Sequence, residues 1–130
     1  MQKKNTNKRI LLVEDNEINS DIARHILEEV EIVVEIAENG RIAVDKIMKE
    51  KSGYYDLILM DIQMPIMDGY EATKRIRALK DEKKSRIPII AMTANSFEED
   101  RRMEFEAGMD AHISKPIVVK DFLHEVDEYL

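Results

Sequence analysis

Asp61 stands directly after a short unbroken apolar run, Leu57-Ile58-Leu59-Met60, and ahead of Gln63, Pro65 and Gly69, where the backbone pattern breaks. Glu14 and Asp15 follow a second such run, Ile10-Leu11-Leu12-Val13. Thr93 follows a third, residues 87–92, and Lys115 comes just past a fourth, Ala111-His112-Ile113. Four separate segments thus place polar groups beyond their apolar ends, while the runs themselves carry almost none. Brought to one place, the three carboxylates repel each other, and at least one has a raised pKa. A hard dication resolves the conflict. Mg2+, or Mn2+ in its place, takes a few carboxylates together with waters and phosphate oxygens. The dication and the Lys115 ammonium balance the three carboxylate charges. Phosphoryl transfer needs little beyond positioning and neutralisation of the moving group's oxygens, which a metal, an ammonium and the Thr93 hydroxyl supply. Asp61 is then the acceptor, forming an acyl phosphate. Each residue alone also has an ordinary reading: acids after a strand cap helices, threonine ends strands, and exposed lysine is common. The elements that carry these residues decide between the two.

Leu57 to Met60 reads as a strand buried on both faces. The first run, residues 10–13, is a second strand, and residues 33–37 are a weaker one, interrupted by Glu35 and so suited to a sheet edge. Residues 87–92 make a fourth strand, with Pro88 near its start, where a missing donor matters least. Residues 111–113 make a short fifth. Helical spacing of apolar residues separates them: Ile18, Ile22, Ala23, Ile26, Leu27 and Val30; then Ala43, Val44, Ile47 and Met48, closed by Gly53; then Ala72, Ile76 and Leu79. The charged residues 80–86 read as a solvated loop. Ser96-Phe97-Glu98-Glu99 forms a capping box. It opens a fourth helix with a poor stripe, Phe97, Met103, Phe105 and Ala107, ended by Gly108. Weak amphipathicity there predicts loose or changeable packing. Val119, Phe122, Leu123, Val126 and Tyr129 mark a fifth helix running to the last residue.

Five strands alternating with five helices predict an α/β fold: a parallel sheet with right-handed crossovers and helices on both faces. The flavodoxin-like doubly wound order 2-1-3-4-5 accommodates five strands and puts the polar second strand at an edge. In that order the ends of strands one and three meet at the switch point, where such sheets bind ligands. Glu14, Asp15 and Asp61 converge there, with Thr93 and Lys115 alongside.

Composition sets the outer bounds. The chain of 130 residues is 44% hydrophobic and 36% charged, which suits one globular domain, residues 9–130, behind a basic, polar tail or linker at 1–8. Twenty Lys+Arg against 27 Asp+Glu give a net charge of −7, which argues against direct nucleic-acid binding. There is no cysteine, so no disulfide, thiolate metal site or cysteine nucleophile; this fits a reducing, cytoplasmic setting. No apolar run approaches a membrane span, so no membrane contact is expected of this domain.

The segments L-L-V-E-D-N at 11–16, L-I-L-M-D-I-Q-M-P-I-M-D-G at 57–69, A-M-T-A-N at 91–95 and S-K-P at 114–116 together resemble the response-regulator receiver domain. The likeness runs from residue 9 to the end. It implies that Asp61 is the phosphorylated aspartate, and that Asp15, Asp61 and the backbone carbonyl of Gln63 hold Mg2+, with Glu14 acting partly through water. Thr93 and Lys115 would bind the phosphoryl group, and the bond matching Lys115-Pro116 would be cis. Gln63 and Asn95 would flank the acceptor and tune water access. The resemblance also implies a phosphohistidine donor, on a histidine kinase or a histidine phosphotransfer domain docking near the first helix, and a switching surface on the fourth helix, fifth strand and last helix. A phosphorylation-dependent dimer is a further expectation. Two positions depart from the common pattern. Glu14 stands where many members have aspartate. His112 stands where many have Tyr or Phe that turns inward with the threonine; its imidazole either shares that role or is a half-buried strand residue without one. The segments E-D-N-E-I-N, M-P-I-M-D-G-Y-E-A and A-G-M-D-A-H-I-S-K-P are most similar to receivers of hybrid sensor histidine kinases, which allows the cytoplasmic part of a membrane-bound kinase; a stand-alone regulator is the alternative. An aspartyl-nucleophile phosphatase would want an acid at Gln63, and a flavin binder would want a small-residue loop where Glu14-Asp15-Asn16-Glu17 stand.

Overall fold

The computed structural model describes residues 7–94 and 98–130. Asn95, Ser96 and Phe97, and with them the capping box and one site residue named above, lie outside the described residues, as do residues 1–6. The strands are β1 (Arg9–Val13), β2 (Val33–Ala37), β3 (Leu57–Asp61), β4 (Ile89–Thr93) and β5 (Ala111–Ser114). They form one sheet, all parallel, in the order β2-β1-β3-β4-β5. The three central strands are the three most apolar, and β3 and β4 are buried at every residue. The edge strand β2 tolerates Glu35 because its carboxylate accepts the hydroxyls of Tyr54 and Tyr55.

Among the described residues the helices are α1 (Glu17–Glu29), α2 (Gly40–Lys49), α3 (Gly69–Arg77), α4 (Glu82–Ser85) and α5 (Glu98–Ala107) between strands, and α6 (Val119–Glu128) after the last one. Successive strand residues point to opposite faces, and the core divides accordingly. Leu11, Val13, Ile58, Met60, Ile89 and Ala91 pack with α2 and α3 on one face. Ile10, Leu12, Leu57, Leu59, Ile90 and Met92 pack with α1 and α6 on the other.

The structure corrects the sequence reading in several places. Residues 80–86 are not all loop: α4 forms there because the Asp81 carboxylate caps the amides of Lys83 and Lys84. Helix α2 ends at Lys49, and Gly53 serves the turn beyond it with φ +84°. Strand β4 begins two residues later than expected, after Pro88, whose carbonyl accepts from Ile58. Ile18 and Ile22 do not belong to the buried stripe of α1; Ser20, Ala23 and Leu27 do, and Ile18 is 71% exposed. Met48 and Val119 likewise face solvent. On α5 the buried residues are Glu104 and Ala107, while Met103 and Phe105 are exposed. Phe105 lies two residues from both Met103 and Ala107 and cannot share a helix face with either; Glu104 and Ala107, three apart, can, and they are the pair turned inward.

Candidate functional site

The polar ends of β1, β3, β4 and β5 meet at one rim. Beyond β1, the Glu14 amide donates to Ala37 O at 3.0 Å, extending the β1–β2 ladder by one residue and turning the Glu14 side chain into the sheet's end. Asn16 then starts α1: its side chain accepts from Asn19, and its amide donates to Glu14 Oε2 at 3.2 Å. Asp61 is the last residue of β3, opposite Met92 in register, and is 5% exposed. The loop after it folds back closely, with the Gly69 amide on Ile62 O. A Cβ on Gly69 would stand 2.3 Å from the Asp61 carbonyl oxygen, so only glycine permits this approach. Thr93 ends β4 and is buried. Its carbonyl accepts the Lys115 amide at 2.9 Å, and the Lys115-Pro116 bond is cis.

From that position Lys115 Nζ reaches Glu14 Oε1 at 2.7 Å and Asp61 Oδ1 at 3.2 Å. Glu14 is 3% exposed, Asp15 is open to solvent, and carboxylate oxygens of Glu14, Asp15 and Asp61 all lie within 4.8 Å of one another. Three converging carboxylates are an all-oxygen donor set, the kind that a hard dication such as Mg2+ takes. The electrostatics fit as well. Burial pushes the Asp61 carboxyl up to about 6, with the neighbouring Glu14 adding to it and Lys115 opposing it. Burial works against the Lys115 ammonium, but the Glu14 hydrogen bond and the Asp61 charge outweigh it and hold Lys115 above the ordinary lysine range. A second positive charge beside Asp61 would relieve the remaining strain between the acids. Next to this cluster an open cleft is lined by Asp15, Gln63, Asp68, Tyr70, Thr93 and Asp100.

The chain matches the family model described as the response regulator receiver domain over residues 10–127. The chain belongs to the response-regulator receiver family. This receiver is 44% identical over 119 residues to "Probable histidine kinase 2" of Oryza sativa subsp. indica, covering 83% of this chain and 11% of that protein. It is 42% identical over 124 residues to "Hybrid signal transduction histidine kinase B" of Dictyostelium discoideum, covering 88% of this chain and 6% of that protein. The chain therefore spans a small fraction of the length of the relatives it matches. Among solved structures, the receiver domain of sensor histidine kinase PA1611 from Pseudomonas aeruginosa PAO1, with a magnesium ion coordinated in its active site cleft, superposes with a TM-score of 0.84 at 35% identity, covering 94% of this chain and 96% of that one. The Vibrio cholerae chemotaxis protein CheY4 superposes with a TM-score of 0.85 at 26% identity, covering 95% and 98%.

Of the residues singled out from the sequence of this receiver, Glu14, Asp15, Asp61, Thr93 and Lys115 come together at the rim, and Gln63 lines the cleft beside them. His112 does not enter the cleft. It is half-buried on β5, with its ring nitrogens on Glu104 and Ser114. Three residues escaped the sequence reading. Asp68, the N-cap of α3, and Asp100 add negative charge to the cleft wall. Glu104 is a buried acid on α5, and nothing in the sequence sets it apart from the other acids of that helix. Among the described residues, no helix is long and apolar enough to cross a membrane.

Proposed function

We propose that this chain is a phosphoacceptor domain of a two-component phosphorelay, with residues 9–130 as the receiver and 1–8 as a linker, and with Asp61 taking the phosphoryl group from a phosphohistidine. The observation that carries this reading is the buried Asp61 carboxylate, set at a strand end between two other acids and the Lys115 ammonium. Such a carboxylate is a poorly solvated nucleophile at the mouth of an open cleft. One Asp61 oxygen forms a bond to phosphorus as the bond from the histidine nitrogen breaks, and the imidazole leaves with the electron pair. Lys115 moves its ammonium from Glu14 toward the phosphoryl oxygens, and the Thr93 hydroxyl donates to another. Asp15, Asp61 and the Gln63 carbonyl would hold Mg2+, with Glu14 contributing partly through water. When bound, the dication would neutralise the acids and offer coordination positions to phosphoryl oxygens.

The donor, a histidine kinase or histidine phosphotransfer domain, docks over α1, where Ile18 and Ile22 are held in water beside the cleft. A small acyl phosphate such as acetyl phosphate serves in its place. Phosphorylation biases the surface of α5, β5 and α6, which reports to a partner or to a second copy of the domain, without direct contact to nucleic acid or membrane. The domain assists its own phosphorylation and dephosphorylation but turns over no separate substrate; Gln63 offers no proton where an aspartyl phosphatase needs an acid. Similarity to hybrid kinases over a small part of their length supports a receiver belonging to such a kinase. Mass spectrometry after incubation with acetyl phosphate and Mg2+ tests the central step. The wild type gains one phosphate and Asp61→Asn gains none; equal labelling of both removes Asp61 as the acceptor.

A further inference from the structure

Helix α5 is tied to the sheet by a charge. Its buried residues are Glu104 and Ala107, and its large apolar side chains, Met103 and Phe105, stand in solvent, Phe105 at 79% exposure. Glu104 itself is 4% exposed. A carboxylate taken that far out of water is tolerated only when it is paired and hydrogen-bonded. The partner is His112 on β5, whose Nδ1 lies 2.8 Å from one Glu104 oxygen and 3.0 Å from the other. The opposite ring nitrogen lies 3.2 Å from Ser114 Oγ, two residues along the same strand face. Both charge states of the ring fit. A neutral ring donates from Nδ1 and accepts the serine hydroxyl at Nε2, and an imidazolium donates at both.

Ser114 leads into the phosphoacceptor site. It is the register partner of Thr93. The next residue, Lys115, donates its amide to Thr93 O and its ammonium to Glu14 and Asp61. The same helix lines the cleft with Asp100 and Met103. A continuous path of hydrogen bonds and paired backbone therefore connects the buried acid of α5 to Asp61. Drawing Thr93 and Lys115 onto a phosphoryl group moves the strand ends that carry Ser114, the second anchor of the ring.

We infer that Glu104 and His112 form a polar latch that holds α5 against β5, and that closure of the latch and phosphoryl occupancy at Asp61 oppose each other. The latch stands on this structure alone; its coupling to Asp61 rests on the function proposed above. Among the described residues of α5 only Ala107 is buried beside Glu104, so the directional pair gives the helix one well-defined seat against β5, and opening it leaves α5 held mainly by its packing on α3, as a two-state element requires. The reciprocity is fixed by linkage: whatever phosphoryl binding does to the latch, opening the latch does to phosphoryl binding.

Hydrogen exchange read by mass spectrometry on the whole chain tests both halves, with Mg2+ and beryllofluoride as the phosphoryl probe. Glu104→Gln and His112→Gln keep the side-chain volumes close to the originals. Each is expected to raise amide exchange across residues 98–107 by about tenfold or more, leaving β1 and β3 as protected as in the wild type. Beryllofluoride is expected to raise exchange in the same segment of the wild type. Both variants should take up beryllofluoride at a several-fold lower half-saturating concentration, read from protection of residues 61–69. Unchanged exchange at 98–107, or an equal rise along the whole chain, overturns the latch. A local rise with an unchanged half-saturating concentration overturns the coupling. If the wild type takes up no beryllofluoride, the phosphoacceptor reading fails and the coupling falls with it, while the exchange of the two variants still decides the latch.

Discussion

Asp61 holds its charge at a cost to the fold, and the sign of that cost is testable. Its carboxyl titrates near 6 in the folded chain against an ordinary value of 3.8, with burial the leading cause. Below about pH 4 both the folded and unfolded chains hold the proton, and the residue is neutral towards folding. Between pH 4 and 6 the folded chain keeps a proton that the unfolded chain has lost, so stability falls as pH rises. Above pH 6 the penalty is complete. Asp61→Asn, which removes the charge and keeps the shape, is therefore expected to stabilise the metal-free protein by about 1–2 kcal/mol at pH 7 and by almost nothing at pH 4. Urea unfolding at the two pH values checks this; an equal effect at both contradicts the buried-charge account. At this scale most of the site was legible in the sequence, because acids and a lysine just past apolar runs have few neighbours of their own kind to be confused with. Glu104 was not legible. An acid among Glu98, Glu99, Asp100 and Glu106 gives no sign in the sequence that it alone turns inward.

Among the elements, the joint below the site is set by Arg77, the last residue of α3. Its guanidinium donates to the carbonyls of Ser85, Ile87 and Gly108 and to the Asp110 carboxylate, at 2.6 to 2.9 Å. One side chain thus closes the ends of α3 and α4, the approach to β4 and the turn between α5 and β5. Arg77→Ala leaves three carbonyls and a carboxylate without this donor. It is expected to cost about 2–3 kcal/mol, seen as a lower denaturation midpoint with an unchanged slope. Loss below about 0.5 kcal/mol would show that water replaces the arginine freely. The position of α3 also depends on Gly69. Gly69→Ala forces the loop away from the Asp61 carbonyl, and is expected to lower both stability and the rate of Asp61 phosphorylation, whereas Lys74→Ala, at an exposed position of α3, should leave the rate alone. The strands and their order followed from the sequence because four are short apolar runs bounded by polar residues or turns, and the fifth, β2, carries the Glu35 that suits an edge. Helix α4 did not, since four residues in a charged run carry no period, and only the Asp81 cap holds it. The apolar stripe of α1 is broader than its buried face for a different reason: Ile18 and Ile22 are apolar yet face outward, which periodicity alone cannot separate from burial.

For the molecule as a whole, the doubly wound sheet concentrates negative charge at one rim, and binding a dication there should add to global stability. A ligand that binds only the folded state, present at about 100 times its Kd, stabilises by about 2.7 kcal/mol. Mg2+ is expected to raise Tm in the wild type and to do so much less in Asp15→Asn, while the same concentration of Na+ does neither; equal gains in both proteins would place the ion elsewhere. The overall architecture was the most legible level of all. A chain whose apolar runs and helical stripes alternate five times has few ways to close a parallel sheet, and its one polar strand marks the edge. The most direct measurement is a crystal structure of the chain with Mg2+ and beryllofluoride. The account predicts beryllium bonded to an Asp61 carboxylate oxygen, the ion held by Asp15, Asp61 and the Gln63 carbonyl, and Lys115 and Thr93 turned onto the fluorides. An empty cleft, with Lys115 still on Glu14 and the three acids unmoved, would contradict it.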